Sequence, residues 1–99
     1  MTIEKTLNGK DLTIALTGRL DTMTAPELEA ELNQSLSEAD TLTMDFSKLE
    51  YISSAGLRVL LSAHKAMAGK GSMKVTHVNE IVREVFEVTG FADILTIEQ

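Results

Sequence analysis

The apolar residues of this chain change their spacing along the sequence, from every second residue to every third or fourth and back again. Alternation at every second residue is typical of a strand with one buried face, and it occurs in residues 12–17 and 41–46. Residues 73–78 are predicted to form another strand. The pair Asn8-Gly9 favours a tight turn. Residues 2–7 and 12–17 are therefore predicted to form a hairpin.

Segments between these strands repeat their apolar residues every three or four positions, which predicts helices with one buried face. The first helix is predicted for residues 24–37, with Thr24 as its N-cap and Glu27 completing a capping box. The last helix is predicted for residues 80–88, with Asn79 as its N-cap. Each of these helices should bury one face against the strands.

The middle helix is predicted to begin at Ser53 or Ser54 and to end at Ala68, because two glycines follow at once. Its polar side is predicted to carry Arg58, and its apolar side should face the core. The residues assigned to that apolar side are Leu57, Leu60, Leu61, His64 and Ala68.

The elements follow one another in the order ββαβαβα, with a possible last edge strand over residues 94–97. Residues 18–21 break the alternation of the second strand and are predicted to form a turn. Strands that alternate with helices indicate an α/β fold, here a mixed sheet of four to five strands with helices packed on it. No linker or repeat divides the 99 residues, so a single domain over residues 1–99 is expected.

Composition argues against several classes of function. The net charge of −6 and only four aromatic residues do not favour a nucleic-acid surface. The chain has no cysteine, and neither His64 nor His77 has further ligands at metal-site spacing, so no metal or other cofactor is expected. The sequence contains neither a Gly-x-Ser-x-Gly motif nor a phosphate-binding loop, so no enzyme activity is expected. No apolar run would span a bilayer and no signal peptide is evident, so a cytoplasmic protein without membrane insertion is expected.

Residues 45–57 combine a strand end, two serines and the start of a helix. This arrangement places a hydroxyl at a helix N-terminus, where free backbone N–H groups favour a phosphate. The simpler interpretation is that a serine at this position only caps the helix. The spacing alone leaves both interpretations open.

The same segment, together with residues 16–21 (Leu-Thr-Gly-Arg-Leu-Asp), resembles the STAS domain shared by sulphate transporters and anti-sigma factor antagonists. The likeness is greatest to the short, free-standing bacterial antagonists, and it covers nearly the whole chain. It extends to Asn79-Glu80-Ile81-Val82 and to Val88-Thr89-Gly90-Phe91. Two residues depart from the family pattern: Arg19 stands where glutamate is usual, and Ser53 where aspartate is common.

The resemblance implies a STAS fold and a protein-binding function without catalysis. The unphosphorylated antagonist would bind an anti-sigma factor that is also a serine kinase, and phosphorylation of Ser54 would release it. A metal-dependent serine phosphatase would then reset the switch, and the free protein is expected to be a monomer. Ser53 is the alternative phosphorylation site. The alternative function is a STAS subunit that is not phosphorylated, in a lipid-transport or stress-signalling complex.

The partner would dock on a face around Ser54, provided that the loop before the first helix lies beside the start of the middle helix. The predicted partner-binding residues are Asp21, Met23, Thr24, Ser53, Gly56 and Arg58.

Overall fold

Five strands and three helices follow one another in the order that the sequence predicts. The computed structural model describes residues 1–98. The strands are β1 (Thr2–Asn8), β2 (Asp11–Leu20), β3 (Thr41–Ile52), β4 (Ser72–Thr76) and β5 (Ile97–Glu98). The helices are α1 (Ala25–Ser35), α2 (Ser54–Ala68) and α3 (Glu80–Thr89). Short 3₁₀ turns at Leu36–Glu38 and Phe91–Asp93 follow α1 and α3.

The strands form one mixed sheet in the order β1-β2-β3-β4-β5. The β1–β2 hairpin is antiparallel, and every later pair is parallel, as crossover helices require. This arrangement confirms the predicted α/β class, the mixed sheet and the order of elements.

One face of the sheet carries the core. In β2 and β3 the alternating residues on that face are almost fully buried, and residues of all three helices belong to the same apolar cluster. The opposite face carries half-exposed polar residues such as Thr13 and Thr43, which are aligned on neighbouring strands. The helices therefore pack on one side of the sheet. The strand residues on the buried face are Leu12, Ile14, Leu16, Leu42, Met44 and Phe46.

β2 and β3 are longer than predicted. The turn expected at residues 18–21 is strand as far as Leu20, and β3 continues beyond Phe46 to Ile52. The two strands stay paired through two register shifts, after Ala15 and after Gly18. Each shift adds a residue on β3, so the buried residues there are spaced by three instead of two. This irregular spacing hid the continuation of the strand.

The helix ends and the last strand also differ from the prediction. Thr24 is the N-cap of α1, but its side chain makes no capping hydrogen bond, so the predicted capping box is wrong. On the predicted apolar side of α2, Leu57 and Leu60 are buried, but Ala68 is exposed. The buried residues of this helix also include Val59, Ala63 and Met67, which were not assigned to that side. β5 begins three residues later and ends one residue later than predicted, and the buried Leu95 precedes it.

Candidate functional site

The loop between β2 and α1 is closed by the side chains of Asp21 and Thr24. The Asp21 carboxylate accepts hydrogen bonds from the backbone N–H groups of Met23 and Thr24, with N···O distances of 3.0 and 3.2 Å. The Thr24 hydroxyl accepts from the Asp21 N–H at 2.9 Å and donates to the Arg19 carbonyl at 2.8 Å. The hydroxyl is thus used to hold the loop and not to cap α1.

The start of α2 is attached to the end of β2 by a backbone hydrogen bond. The N–H of Ser53, the N-cap residue of α2, donates to the Leu20 carbonyl at 2.9 Å. Since Leu20 immediately precedes Asp21, this bond brings the β2–α1 loop beside the first turn of α2. The arrangement that the docking face requires is therefore present.

The two serines differ in exposure. Ser54 is the first residue of α2 and is exposed to solvent. The Ser53 hydroxyl oxygen is buried, and it has no hydrogen-bond partner among the described residues. An enzyme acting on the native fold can reach Ser54 but not the hydroxyl of Ser53.

Gly56 lies beneath the surface and not on it. A methyl group at this position would lie 2.7 Å from Leu20 Cγ and 2.8 Å from Ile52 Cγ1, and both of those side chains are fully buried. Gly56 was predicted to contribute to the docking face, and its burial corrects that placement. Its absent side chain instead allows α2 to pack closely against the ends of β2 and β3.

A cavity of about 230 Å³ lies between the start of α1 and the first two turns of α2. Ala25 and Val59 are its most buried lining residues, while Glu29 and Arg58 are exposed at its edge. Arg58 therefore lies at the junction of the two helices, whereas Met23 stands 83% exposed on the loop. The cavity is lined by Thr22, Ala25, Pro26, Glu29, Ala55, Arg58 and Val59.

Arg19 and Tyr51 form a second contact between β2 and β3 near the loop. The Arg19 guanidinium carbon lies 4.5 Å from the centre of the Tyr51 ring, a cation–π contact. Arg19 Nε also lies 4.0 Å from a carboxylate oxygen of Asp21. Tyr51 was not predicted from the sequence, because the two register shifts concealed which residues of β3 share a face. Of the residues that line the cavity, only Arg58 was predicted.

The Asp21 carboxylate is held in its charged form. Desolvation raises the pKa of this carboxyl, but hydrogen bonds from the backbones of Thr24 and Met23, the nearby Thr24 hydroxyl and the charge of Arg19 outweigh it. The pKa of Asp21 is therefore lower than its ordinary value of about 4.

We expect the Asp21 charge to stabilise the fold above pH 4 and to lose that effect as the pH falls through the lowered pKa. Asp21→Asn retains an oxygen that can accept the loop hydrogen bonds but removes the charge. The difference in unfolding free energy between wild type and Asp21→Asn should thus shrink as the pH falls from 5 to about 2.5. Urea denaturation at each pH measures this difference in unfolding free energy. A difference that stays constant with pH would contradict the lowered pKa of Asp21.

The fold, together with the β2–α1 loop beside the start of α2, is that of a STAS protein. The family model described as "Mlab, STAS domain" matches residues 3–96, so the chain belongs to the STAS domain family.

Two relatives carry antagonist names. BtrV of Bordetella bronchiseptica, named as a candidate anti-sigma factor antagonist, is 36% identical over 87% of this chain and 76% of its own length. The anti-sigma-B factor antagonist of Bacillus subtilis is 28% identical over 91% of this chain and 84% of its own length.

A solved structure shares the fold. The Bacillus cell fate determinant SpoIIAA in its phosphorylated form superposes with a TM-score of 0.76 at 18% identity, covering 99% of this chain and 92% of that one. The resemblance to free-standing bacterial antagonists is confirmed by these relatives.

No helix in residues 1–98 is long and apolar enough to cross a membrane. No group of three or more histidine, aspartate or glutamate side chains in the same residues is placed to hold a metal ion.

Proposed function

We propose that this chain is an anti-sigma factor antagonist that is switched by phosphorylation of Ser54. In its unphosphorylated form it binds an anti-sigma factor that is also a serine kinase, which frees the target of that kinase. Phosphorylation at Ser54 releases the kinase, and a metal-dependent serine phosphatase restores the binding form. The names of the relatives support the class of function, and the geometry around Ser54 supports the switch.

The difference between the two serines carries the proposal. Ser54 presents its hydroxyl to solvent at the first position of α2, while the neighbouring Ser53 hydroxyl is buried. A kinase must bring the acceptor oxygen to the phosphate of its nucleotide, so only an exposed hydroxyl serves without local unfolding. This comparison supports Ser54 over its alternative, Ser53.

A phosphate at Ser54 would leave the fold intact. The first turn of a helix has free N–H groups and the positive end of the helix dipole, and both favour an added negative charge. The phosphate adds about −1.5 to −2 charges at neutral pH. The switch therefore acts on the surface that the partner meets and does not unfold α2.

The proposed docking face combines the loop before α1 with the exposed start of α2. It contains Asp21, Met23, Thr24 and Arg58 around Ser54, with the 83% exposed side chain of Met23 as its main apolar contact. Ser53 and Gly56 support this face from below. The Ser53–Leu20 backbone hydrogen bond fixes the two segments relative to each other, so the face is formed before the partner arrives.

Incubation with the cognate serine kinase and ATP, followed by mass spectrometry, tests the proposal. We expect a single phosphate on Ser54, the same phosphate in Ser53→Ala, and none in Ser54→Ala. The wild-type chain should keep its circular dichroism spectrum and its melting temperature within a few degrees after modification. A phosphate on Ser53 would contradict the accessibility argument and would place the switch one residue earlier.

A second candidate function is a STAS subunit that works without phosphorylation in a lipid-transport or stress-signalling complex. The matching family model is described by the name Mlab and not by an antagonist name, which favours keeping this candidate. It predicts that neither serine is modified by a kinase that is active on a control substrate. It also predicts that the chain co-purifies stably with a larger assembly.

A further inference from the structure

α3 has apolar side chains in addition to those that it buries. Nine of its ten residues fall into three adjacent rows, each with a spacing of four and then three residues, so each row follows one side of the helix. The tenth residue, Arg83, is half-buried and lies between the third of these rows and the first. The first row, Val82 and Phe86 with Thr89, contains the two buried side chains of the helix. The second row is Ile81, Val85 and Val88, which we call the α3 apolar stripe. The third row is Glu80, Glu84 and Glu87.

The α3 apolar stripe is not covered by the rest of the molecule. Ile81 is 59% exposed and Val88 is 77% exposed, while Val85 between them is half-buried and packs against the core. α3 packs mainly on β3 and on the 3₁₀ turn that follows it. The core-facing residues of α3 are Val82, Val85 and Phe86, at the i, i+3, i+4 spacing of an ordinary amphipathic helix. Ile81 and Val88 are therefore apolar residues beyond those that attach the helix to the sheet.

The acidic row next to the stripe indicates what kind of surface could cover it. The side chains of Glu80, Glu84 and Glu87 are all exposed, and none takes part in a salt bridge in residues 1–98. A second copy of this chain would bring an identical acidic row against the first in a two-fold contact, and like charges disfavour that pairing. A partner with lysine or arginine beside its apolar residues would match both rows.

We propose that the α3 apolar stripe and its acidic row bind a basic amphipathic helix of a partner protein. The partner helix would present apolar side chains at positions i, i+4 and i+7 to the stripe, flanked by lysine or arginine opposite the glutamates. An amphipathic helix lying along an apolar row is a common mode of recognition. The surface belongs to α3, whereas the Ser54 face is built from the start of α2 and the loop before α1, so this binding does not depend on the phosphorylation switch.

The test uses the full-length chain and a defined probe. The probe is a 14-residue peptide with leucine at i, i+4 and i+7 and lysine on both flanks of that row, compared with a scrambled peptide of the same composition. Binding is measured by calorimetry, and its location by amide chemical shifts in ¹⁵N spectra. We expect shifts concentrated at Ile81, Glu84, Val85 and Val88, and weaker binding by the scrambled peptide.

Variants distinguish binding at the α3 apolar stripe from non-specific peptide binding. The double substitution Ile81→Ser/Val88→Ser should weaken peptide binding at least about tenfold, because two apolar side chains lose their contacts. Glu84→Lys should weaken it several-fold, with a smaller dependence on salt. Leu7→Ser is the matched control, since Leu7 is 41% exposed on the edge strand β1, and it should leave the affinity within about twofold of wild type.

The outcomes distinguish this surface from the switch. Peptide affinity should be the same for wild type and Ser54→Asp. The proposed switch and the proposed α3 surface can therefore fail independently of each other. No binding at 1 mM peptide, equal binding of the scrambled peptide, or shifts located around Ser54 would each overturn the proposal. Sedimentation could instead show a dimer that the substitutions Ile81→Ser/Val88→Ser dissociate. That result would overturn the proposed partner helix and would identify a second copy of this chain as the occupant of the stripe.

Discussion

Ser54→Asp is expected to bind the partner kinase about 100-fold more weakly than wild type, which corresponds to about 2.7 kcal/mol of binding free energy. The substitution places a carboxylate on the exposed first residue of α2, at the centre of the proposed docking face. A charge fixed against a partner that is not arranged to receive it costs desolvation and repulsion at the moment of docking. Titration of labelled kinase with each variant gives the affinities.

Matched variants identify the cause of that loss. Ser54→Ala should retain wild-type affinity and should stay bound when ATP is added, because it has no hydroxyl to accept a phosphate. Ser37→Asp adds the same charge at an exposed position beyond the far end of α1, and it should change the affinity less than about threefold. Equal affinity of Ser54→Asp and wild type, with both variants folded, would contradict the proposed release mechanism.

Gly71→Ala is expected to destabilise the fold by about 3 kcal/mol, which lowers the melting temperature by about 12–24 °C. A methyl group on Gly71 would lie 1.6 Å from the carbonyl oxygen of Asp40 and 2.7 Å from its carbonyl carbon. Both atoms belong to the backbone just before β3, and that same oxygen accepts a hydrogen bond from the Ser72 N–H at 3.2 Å. Relief of the clash would therefore separate the first residues of β3 and β4.

Gly69→Ala is the control, two residues earlier in the same turn. A methyl group on Gly69 meets no atom within 4 Å, and the backbone there (φ −94°, ψ −1°) suits alanine. This variant should be as stable as wild type or more stable by up to about 1 kcal/mol, because alanine restricts the unfolded chain. Thermal unfolding of the two variants side by side measures the difference, and equal melting temperatures would refute the clash.

The elements that the sequence predicts well are those with local signals. The hairpin predicted from Asn8-Gly9 is present, and its two turn residues are Gly9 and Lys10, with Asn8 as the last residue of β1. The Asn79 side chain does accept a hydrogen bond from the Val82 N–H, at 2.8 Å, to cap α3. In both cases the residues that determine the structure are no more than three positions apart. Short-range chemistry of this kind is visible in one sequence without knowledge of the fold.

The mispredicted details have two different causes. β3 continues to Ile52 because β2 remains beside it through two register shifts, and no local pattern reveals that pairing. Thr24 has the right spacing for a capping box with Glu27, but its hydroxyl accepts from the Asp21 N–H and donates to the Arg19 carbonyl within the preceding loop. A distant pairing decided the length of β3, whereas a competing bond in the loop decided the cap.

The candidate site shows the same division. Both serines were visible at the start of α2, and the sequence could not tell which hydroxyl reaches solvent. That difference arises because Ser53 is bound to the end of β2 and turns its oxygen inward, whereas Ser54 lies one residue further along the helix. The cavity beside Arg58 likewise depends on how α1 and α2 pack together, which one sequence does not specify.

The order of strands in the sheet is the same as their order in the chain. No strand has to be inserted between two that are already paired, so the sheet can grow in the direction of synthesis as the protein leaves the ribosome. Each new strand joins the exposed edge left by the previous one, and loop closure spans only one crossover helix at each parallel step. β5 pairs with only Val75 and Thr76 of β4, and in this order of growth it is the last of the five strands to pair.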